Sequence, residues 1–142
     1  MLGTGVEPLV HKLKAYFSCT AEVHFVYLFG SMATGTQNRF SDVDIAVYVD
    51  SIGLGPRAYP YGYKAYLIAE LMQLLKTNRI DVVVLNEATP LLKYQVIRYG
   101  FPVYEINPQE RIQFQVSALS RYFDLLPIFD VHLNRPLFRE AT

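Results

Sequence analysis

Two aspartates, Asp42 and Asp44, stand at the start of an otherwise apolar run that ends at Val49. In a β-strand the side chains of residues i and i+2 point to the same face and lie roughly 7 Å apart, so the two carboxylates share one face. Like charges side by side on a half-buried sheet repel each other and lose hydration, which costs stability unless something compensates. A divalent cation held by oxygen ligands is the simplest compensation. The pair therefore indicates a metal-binding site.

A glycine-serine pair, Gly30-Ser31, follows an apolar run and is separated from Asp42 by ten residues. Glycine lets the backbone approach a ligand closely, and serine offers both an N–H and a hydroxyl to a phosphate. Most Gly-Ser pairs are ordinary turns, and Asp-x-Asp is also common by itself. The combined pattern G-S-x10-D-x-D, with apolar runs on both sides, is much more specific.

A third carboxylate, Asp81, opens another apolar run after a helical segment. Taken alone it fits a helix-to-strand turn equally well. If the two strands are neighbours in one sheet, their ends bring Asp81 close to Asp42 and Asp44. Three carboxylates beside a phosphate-binding turn indicate Mg²⁺ and a nucleoside triphosphate, since Mg²⁺ takes few protein carboxylates and completes its shell with phosphate oxygens and water.

The elements that must position these residues alternate between helices and short apolar strands. Gly- and Pro-rich residues 50–63 predict a loop, and Pro102 predicts that the last strand lies at a sheet edge. The order predicts an α/β (α+β) fold, a small mixed β-sheet flanked by helices. Helices are expected at about 8–17, 64–77, 90–99 and from 107 to 127, with strands at 24–29, 42–49, 80–85 and 101–106.

Apolar residues in the last predicted helix step by 4, 3, 4 and 3, and Pro127 is expected to end that helix. A heptad-like seam of this kind predicts packing into the protein core, with a partner-facing stripe as the alternative. The seam consists of Ile112, Val116, Leu119, Phe123 and Leu126.

Length and composition indicate one globular domain over 1–142, with a core of about 7–106 and a C-terminal helix and tail, 108–142, as a candidate partner interface. The 13 Lys and Arg residues balance 13 Asp and Glu residues, which disfavours binding to long nucleic acids but not to a nucleotide.

Cys19 is the single cysteine, so no disulfide framework is expected. No apolar run reaches membrane-spanning length and no signal-peptide pattern is visible, which predicts a cytoplasmic protein.

Together, Gly30-Ser31, Asp42-x-Asp44 and Asp81 resemble the nucleotidyltransferases of the polymerase-beta superfamily. The small size, with no added substrate domain, is similar to the minimal nucleotidyltransferases that act as antitoxins to HEPN toxins. The resemblance covers about 23–104, and every residue of the catalytic pattern is present. It implies a polymerase-beta-like nucleotidyltransferase fold and an active enzyme.

The resemblance also implies a role for each motif residue. Gly30 and Ser31 would hold the β- and γ-phosphates of ATP. Asp42 and Asp44 would coordinate two Mg²⁺ ions, while Asp81 would bind the catalytic metal and help to deprotonate the acceptor. The implied reaction transfers AMP from ATP to a hydroxyl, typically of a tyrosine, on a cognate HEPN ribonuclease toxin. The added charge and bulk would block the toxin's RNA-cleaving site.

Two basic residues are further candidates for binding the nucleotide. Arg39 lies just before Asp42, and Lys64 begins the helix that follows the loop 50–63. Either side chain fits a contact to the triphosphate, and a solvated surface charge is the alternative for both.

Two other functions fit the same residues. A small-molecule nucleotidyltransferase of the aminoglycoside type would use the same acids, although such enzymes generally need more chain to build the acceptor pocket. A non-enzymatic binding module would neutralise its partner by occlusion and keep the acidic cluster for structure alone. An idle cluster of carboxylates costs stability, which argues against the second alternative.

Overall fold

The structure, a computed structural model, describes residues 6–30, 42–50 and 62–133. The predictions for Ser31 and Arg39, and most of the predicted loop 50–63, lie outside the described residues. The helices are α1 (Glu7–Ser18), α2 (Tyr63–Leu75), α3 (Pro90–Tyr99) and α4 (Pro108–Leu133), and the strands are β1 (Val23–Phe29), β2 (Val43–Val49), β3 (Ile80–Val84) and β4 (Phe101–Glu105).

The four strands form one mixed sheet in the order β3-β2-β1-β4. Strand β1 runs antiparallel to both β2 and β4, whereas β2 and β3 are parallel and are joined through α2. A helical crossover is the usual connection between parallel neighbours. Among the described residues β4 pairs only with β1, so the edge position predicted from Pro102 is confirmed. The predicted mixed sheet with flanking helices is confirmed as well.

Successive side chains of each strand point to opposite faces of the sheet, so the hydrophobic core has one part on each face. On one face, α1 and α2 cover residues such as Leu28 and Ile45. On the other face, Ala46 packs with Phe25, Tyr27 and Val96 of α3, beneath Phe114 of α4. Asp44 lies two residues before Ala46 in β2, so it belongs to the face covered by α3 and α4.

The predicted end of the last helix at Pro127 is wrong, because α4 continues through Pro127 to Leu133. Proline cannot donate the helical hydrogen bond to the carbonyl of residue 123. Pro127 is exposed, so water can take the place of the missing donor at that carbonyl. Among the helices of the described segments, none is both long enough and apolar enough to cross a membrane.

The predicted burial of the α4 seam is also wrong. Ile112, Val116, Phe123 and Leu126 are 47, 62, 54 and 37% exposed. The helix instead turns a different stripe inward: Phe114 packs against Phe25 and Tyr48, Ala118 is buried, and Tyr122 stacks on Tyr94 with 4.0 Å between ring centroids.

Beyond the last paired residues of β2 and β3, Asn86 extends the contact between these strands. Its Nδ2 donates to the Val49 carbonyl at 2.8 Å, and its Oδ1 accepts from the Val49 N–H at 2.9 Å. We expect Asn86→Ala to lower the free energy of unfolding by about 1–2 kcal/mol, because both backbone groups lose their partner. Glu87→Ala, the exposed neighbour, should change it by less than about 0.5 kcal/mol. Urea denaturation of the two variants checks this, and equal stabilities would contradict it.

Candidate active site

The turn after β1 brings the backbone against the carboxylate of Asp44. Gly30 has a φ of +76°, and a Cβ built on it would lie 2.2 Å from Asp44 Oδ2. Only glycine combines this left-handed conformation with so close an approach. In this structure Gly30 therefore makes room for the aspartate itself, a role in addition to the phosphate contact that the sequence predicts.

Asp44 and Asp81 are direct neighbours across the parallel pair β2–β3. The register pairs Asp44 with Asp81 on one side and with Phe29 on the other. Paired residues of adjacent strands lie about 4.8 Å apart along the hydrogen-bonding direction and face the same side of the sheet. The predicted convergence of the third acid with Asp44 is therefore confirmed by the sheet register.

Asp44 is partly buried, while Asp42 and Asp81 are exposed. Burial raises the pKa of Asp44, and the negative charges of Asp81 and then Asp42 raise it further. The charged form of the Asp44 carboxylate therefore costs the folded protein stability. A bound cation would relieve that cost.

The flanking acids are placed by backbone contacts. Asp42 immediately precedes β2, and the N–H of Val43 donates to the Arg79 carbonyl at 2.8 Å, which ties this point to the start of β3. Asp81 Oδ1 accepts the N–H of Val82 at 3.0 Å. This last contact leaves no signal in the sequence, because any residue but proline offers the same donor.

Lys64 joins the acidic edge from the opposite face of the sheet. It lies at the start of α2, and its Nζ is 3.9 Å from Asp81 Oδ1. Because β3 is an edge strand, the lysine side chain can reach around it to the face that carries Asp81. The two side chains are 55 and 59% exposed, so the ion pair contributes little to stability. It leaves Lys64 available to a negatively charged ligand.

A cleft of about 310 Å³ opens beside Lys64. The sequence did not identify it, because its walls come from the ends of separate elements rather than from one motif. The lining residues are Val49, Gly62, Tyr63, Lys64, Val84, Asn86 and Glu87.

The acids fit magnesium, although they do not enclose it. Within residues 6–30, 42–50 and 62–133, no three His, Cys, Asp or Glu side chains converge into a ready-made metal cage. Asp42, Asp44 and Asp81 are nevertheless oxygen donors close enough for the outer two to raise the pKa of Asp44. Mg²⁺ prefers such donors and keeps part of its shell for phosphate oxygens and water. The residues present therefore suit a magnesium site that the substrate completes.

The structure thus brings together five of the predicted site residues, with the lysine at the rim. Gly30 contacts Asp44, Asp44 pairs with Asp81, and Asp42 and Lys64 lie at the same edge.

Comparison with known proteins identifies the family of this chain. Residues 11–109 match the family described as Polymerase beta, Nucleotidyltransferase. The protein adenylyltransferase MntA of Shewanella oneidensis is 29% identical over 102 residues, covering 71% of this chain and 67% of that protein. The protein of the same name from Aphanizomenon flos-aquae is 35% identical over 95 residues, covering 65% of this chain and 63% of that protein. The chain is thus aligned with about two thirds of the length of these curated relatives.

A solved structure has the same fold as this chain over most of the length of both chains. It is the crystal structure of a toxin-antitoxin with AMP-PNP, with a TM-score of 0.72 and 26% identity, covering 88% of this chain and 95% of that chain. The family match extends over most of the sequence and contains Gly30, the paired acids and Lys64. The chain therefore belongs to the polymerase beta nucleotidyltransferase family.

Proposed function

We propose that this chain is a protein adenylyltransferase antitoxin. It transfers AMP from ATP to a hydroxyl, typically of tyrosine, on a cognate HEPN ribonuclease toxin and so neutralises the toxin. The names of the two MntA relatives and the toxin-antitoxin structure with AMP-PNP support this proposal. We place the activity in the cytoplasm, where ATP and the RNA targets of such a toxin occur together.

One observation carries the proposal: Asp44 faces Asp81 across two parallel strands while Gly30 leaves space for its carboxylate. The pKa of Asp44 is raised by burial and by Asp81 and Asp42, and a carboxylate in this position destabilises a protein that has no use for it. A structural role gives no reason for the cost, whereas a metal-nucleotide site does.

Asp42, Asp44 and Asp81 are the residues that would hold magnesium, which when bound neutralises charge on the triphosphate and on the leaving pyrophosphate. Gly30 and Ser31 bind the β- and γ-phosphates through backbone N–H groups and the serine hydroxyl. With the triphosphate held there, the α-phosphorus is left open to the acceptor.

Asp81 serves as the proton acceptor in this scheme. The acceptor oxygen attacks the α-phosphorus, the bond from that phosphorus to the oxygen bridging to the β-phosphate breaks, and pyrophosphate leaves. Asp81 is exposed at the strand edge, so it can take the proton of the incoming hydroxyl. AMP remains on the acceptor oxygen, and the reaction balances without any further reactant.

Lys64 contacts the triphosphate once the nucleotide is bound, and Arg39 is a second candidate for the same task. We expect Lys64→Gln to raise the KM for ATP about tenfold and to change the free energy of unfolding by less than about 0.5 kcal/mol, since its pair with Asp81 is exposed. Steady-state kinetics with varied ATP and a urea titration measure the two effects. An unchanged KM would remove Lys64 from the binding site.

The proposal is tested by incubating the purified chain with Mg²⁺, ATP and the HEPN-type protein of the neighbouring reading frame, recognisable by an Arg-x4–6-His motif. ATP labelled at the α-phosphate should transfer label to that protein, ATP labelled at the γ-phosphate should not, and its intact mass should rise by one or more AMP units. Protection of cells without any label transfer would favour the occlusion alternative. Transfer to an aminoglycoside alone would favour the small-molecule enzyme.

A further inference from the structure

The α4 seam is an exposed apolar surface with a regular repeat. Four of its five side chains are more than a third exposed, and Val116, near the middle, is 62% exposed. From Ile112 to Leu126 the seam extends over about 21 Å of helix. Exposed apolar surface of this regularity is unusual on a protein that acts alone.

The spacing of the seam residues indicates which kind of element would cover them. Steps of 4 and 3 keep the side chains on the 3.5-residue repeat by which one helix packs along another. The exposed positions that border the seam, Gln113 and Ser120, carry no charge. On the inner border, Gln115 accepts from Arg111 and Tyr122 stacks on Tyr94. Charged border positions usually select orientation and partner in helical pairs. Here an uncharged border suits a partner helix that is itself uncharged beside its apolar stripe, because a buried partner charge would find no counter-charge.

Contact through the seam alone is too small to hold either a second copy of this chain or another protein. The seam exposes only parts of its side chains, so a contact confined to it buries a small area on each partner. Stable interfaces bury roughly 800 Å² per partner. A protein that is also the substrate must in addition place a hydroxyl at Asp44 and Asp81, which enlarges its contact with this chain. That argument rests on the function proposed above.

We infer that the α4 seam is the docking surface for the acceptor protein, which binds through an amphipathic helix with an uncharged border. The described site residues lie on β2, β3 and α2 or beside β1 and β2, and none of them lies on α4. Docking at the seam therefore leaves the acidic edge free for the reaction. The chain holds its substrate by one surface and modifies it at another.

The test uses Val116→Glu combined with Phe123→Glu, which places two charges at the most exposed seam positions. The control is Tyr66→Glu, a comparable change at a 40% exposed residue of α2, on the other face of the sheet. Circular dichroism verifies folding, and Val116→Ser with Phe123→Ser replaces the first variant if the charges prevent it. Light scattering and titration calorimetry then measure the size of each protein alone and its binding to the HEPN-type protein of the neighbouring frame.

We expect the seam variant to bind at least about 100-fold more weakly, because two central anchors are lost, while Tyr66→Glu binds like the wild type. Binding of the seam variant within threefold of wild type would overturn the inference, as would a wild-type chain that does not bind the HEPN-type protein. A wild-type dimer that the seam variant converts to a monomer would assign the seam to a second copy instead. A seam-dependent complex without AMP transfer would refute the proposed function and leave this inference standing.

Discussion

Asp44→Asn is expected to lower kcat/KM for AMP transfer by at least about 1,000-fold, because the variant loses the central carboxylate of the proposed metal-nucleotide site. Asp44 is the acid that the structure constrains most, with Gly30 against its Oδ2 and Asp81 opposite it in the register. Asparagine keeps the shape of the side chain, so the loss reports on charge and metal binding rather than on packing. Label transfer from ATP marked at the α-phosphate measures the effect.

The same substitution should make the protein without ligand more stable, by about 1 kcal/mol or 2–4 °C in Tm. Because the folded pKa of Asp44 is raised by burial and by Asp81 and Asp42, the charged form destabilises the fold. That penalty is complete above the folded pKa and disappears as the pH falls through it towards the unfolded value. As the pH falls, the wild type should therefore become more stable relative to Asp44→Asn. Asp124→Asn, an exposed acid on α4, should change neither activity nor stability. Loss of stability in Asp44→Asn would contradict this account of the acidic edge.

Gly30→Ala is expected to reduce transfer by about 100-fold and the free energy of unfolding by about 1–3 kcal/mol. Two effects combine, since alanine is strained at a φ of +76° and its Cβ would meet Asp44 Oδ2 at 2.2 Å. Asp44 must move away from the position in which it pairs with Asp81. Kinetics and urea denaturation measure the two losses.

Gly62→Ala separates the two effects. Gly62 also has a positive φ, +90°, but a Cβ there would meet no atom of the described residues within 4 Å. This variant should lose about 1 kcal/mol from backbone strain and keep most of its activity. If Gly30→Ala were as active as Gly62→Ala, the contact between Gly30 and Asp44 would have no part in catalysis.

The elements and the acidic pair could be predicted because local patterns determine them. Apolar runs bounded by turn residues such as glycine and proline predict every described strand. Pro90 and Gly100 predict the two ends of α3, at 90 and 99. Asp44 and Asp81 both lie near the start of a strand, so a parallel register necessarily brings them together. A crossover through α2 makes that register the expected one.

The orientation of α4 could not be predicted, because the helix carries two apolar stripes. Periodicity identified the seam through Val116 and Phe123, and a second stripe through Phe114, Ala118 and Tyr122 has steps of four. Which stripe turns inward depends on the aromatic surface that the sheet and α3 offer, Phe25, Tyr48 and Tyr94. Those residues are distant in sequence, as are His24 and Glu110, whose Nδ1 and Oε2 lie 2.9 Å apart.

The most direct test of the central claim is calorimetric titration of the chain with an ATP analogue that cannot be cleaved between the α- and β-phosphates. With Mg²⁺ present the wild type should bind it, with Mg²⁺ removed binding should weaken at least about tenfold, and Asp42→Asn combined with Asp44→Asn should abolish the metal dependence. If the wild type does not bind the analogue, or if binding is the same with and without Mg²⁺ and in the double variant, the account is contradicted.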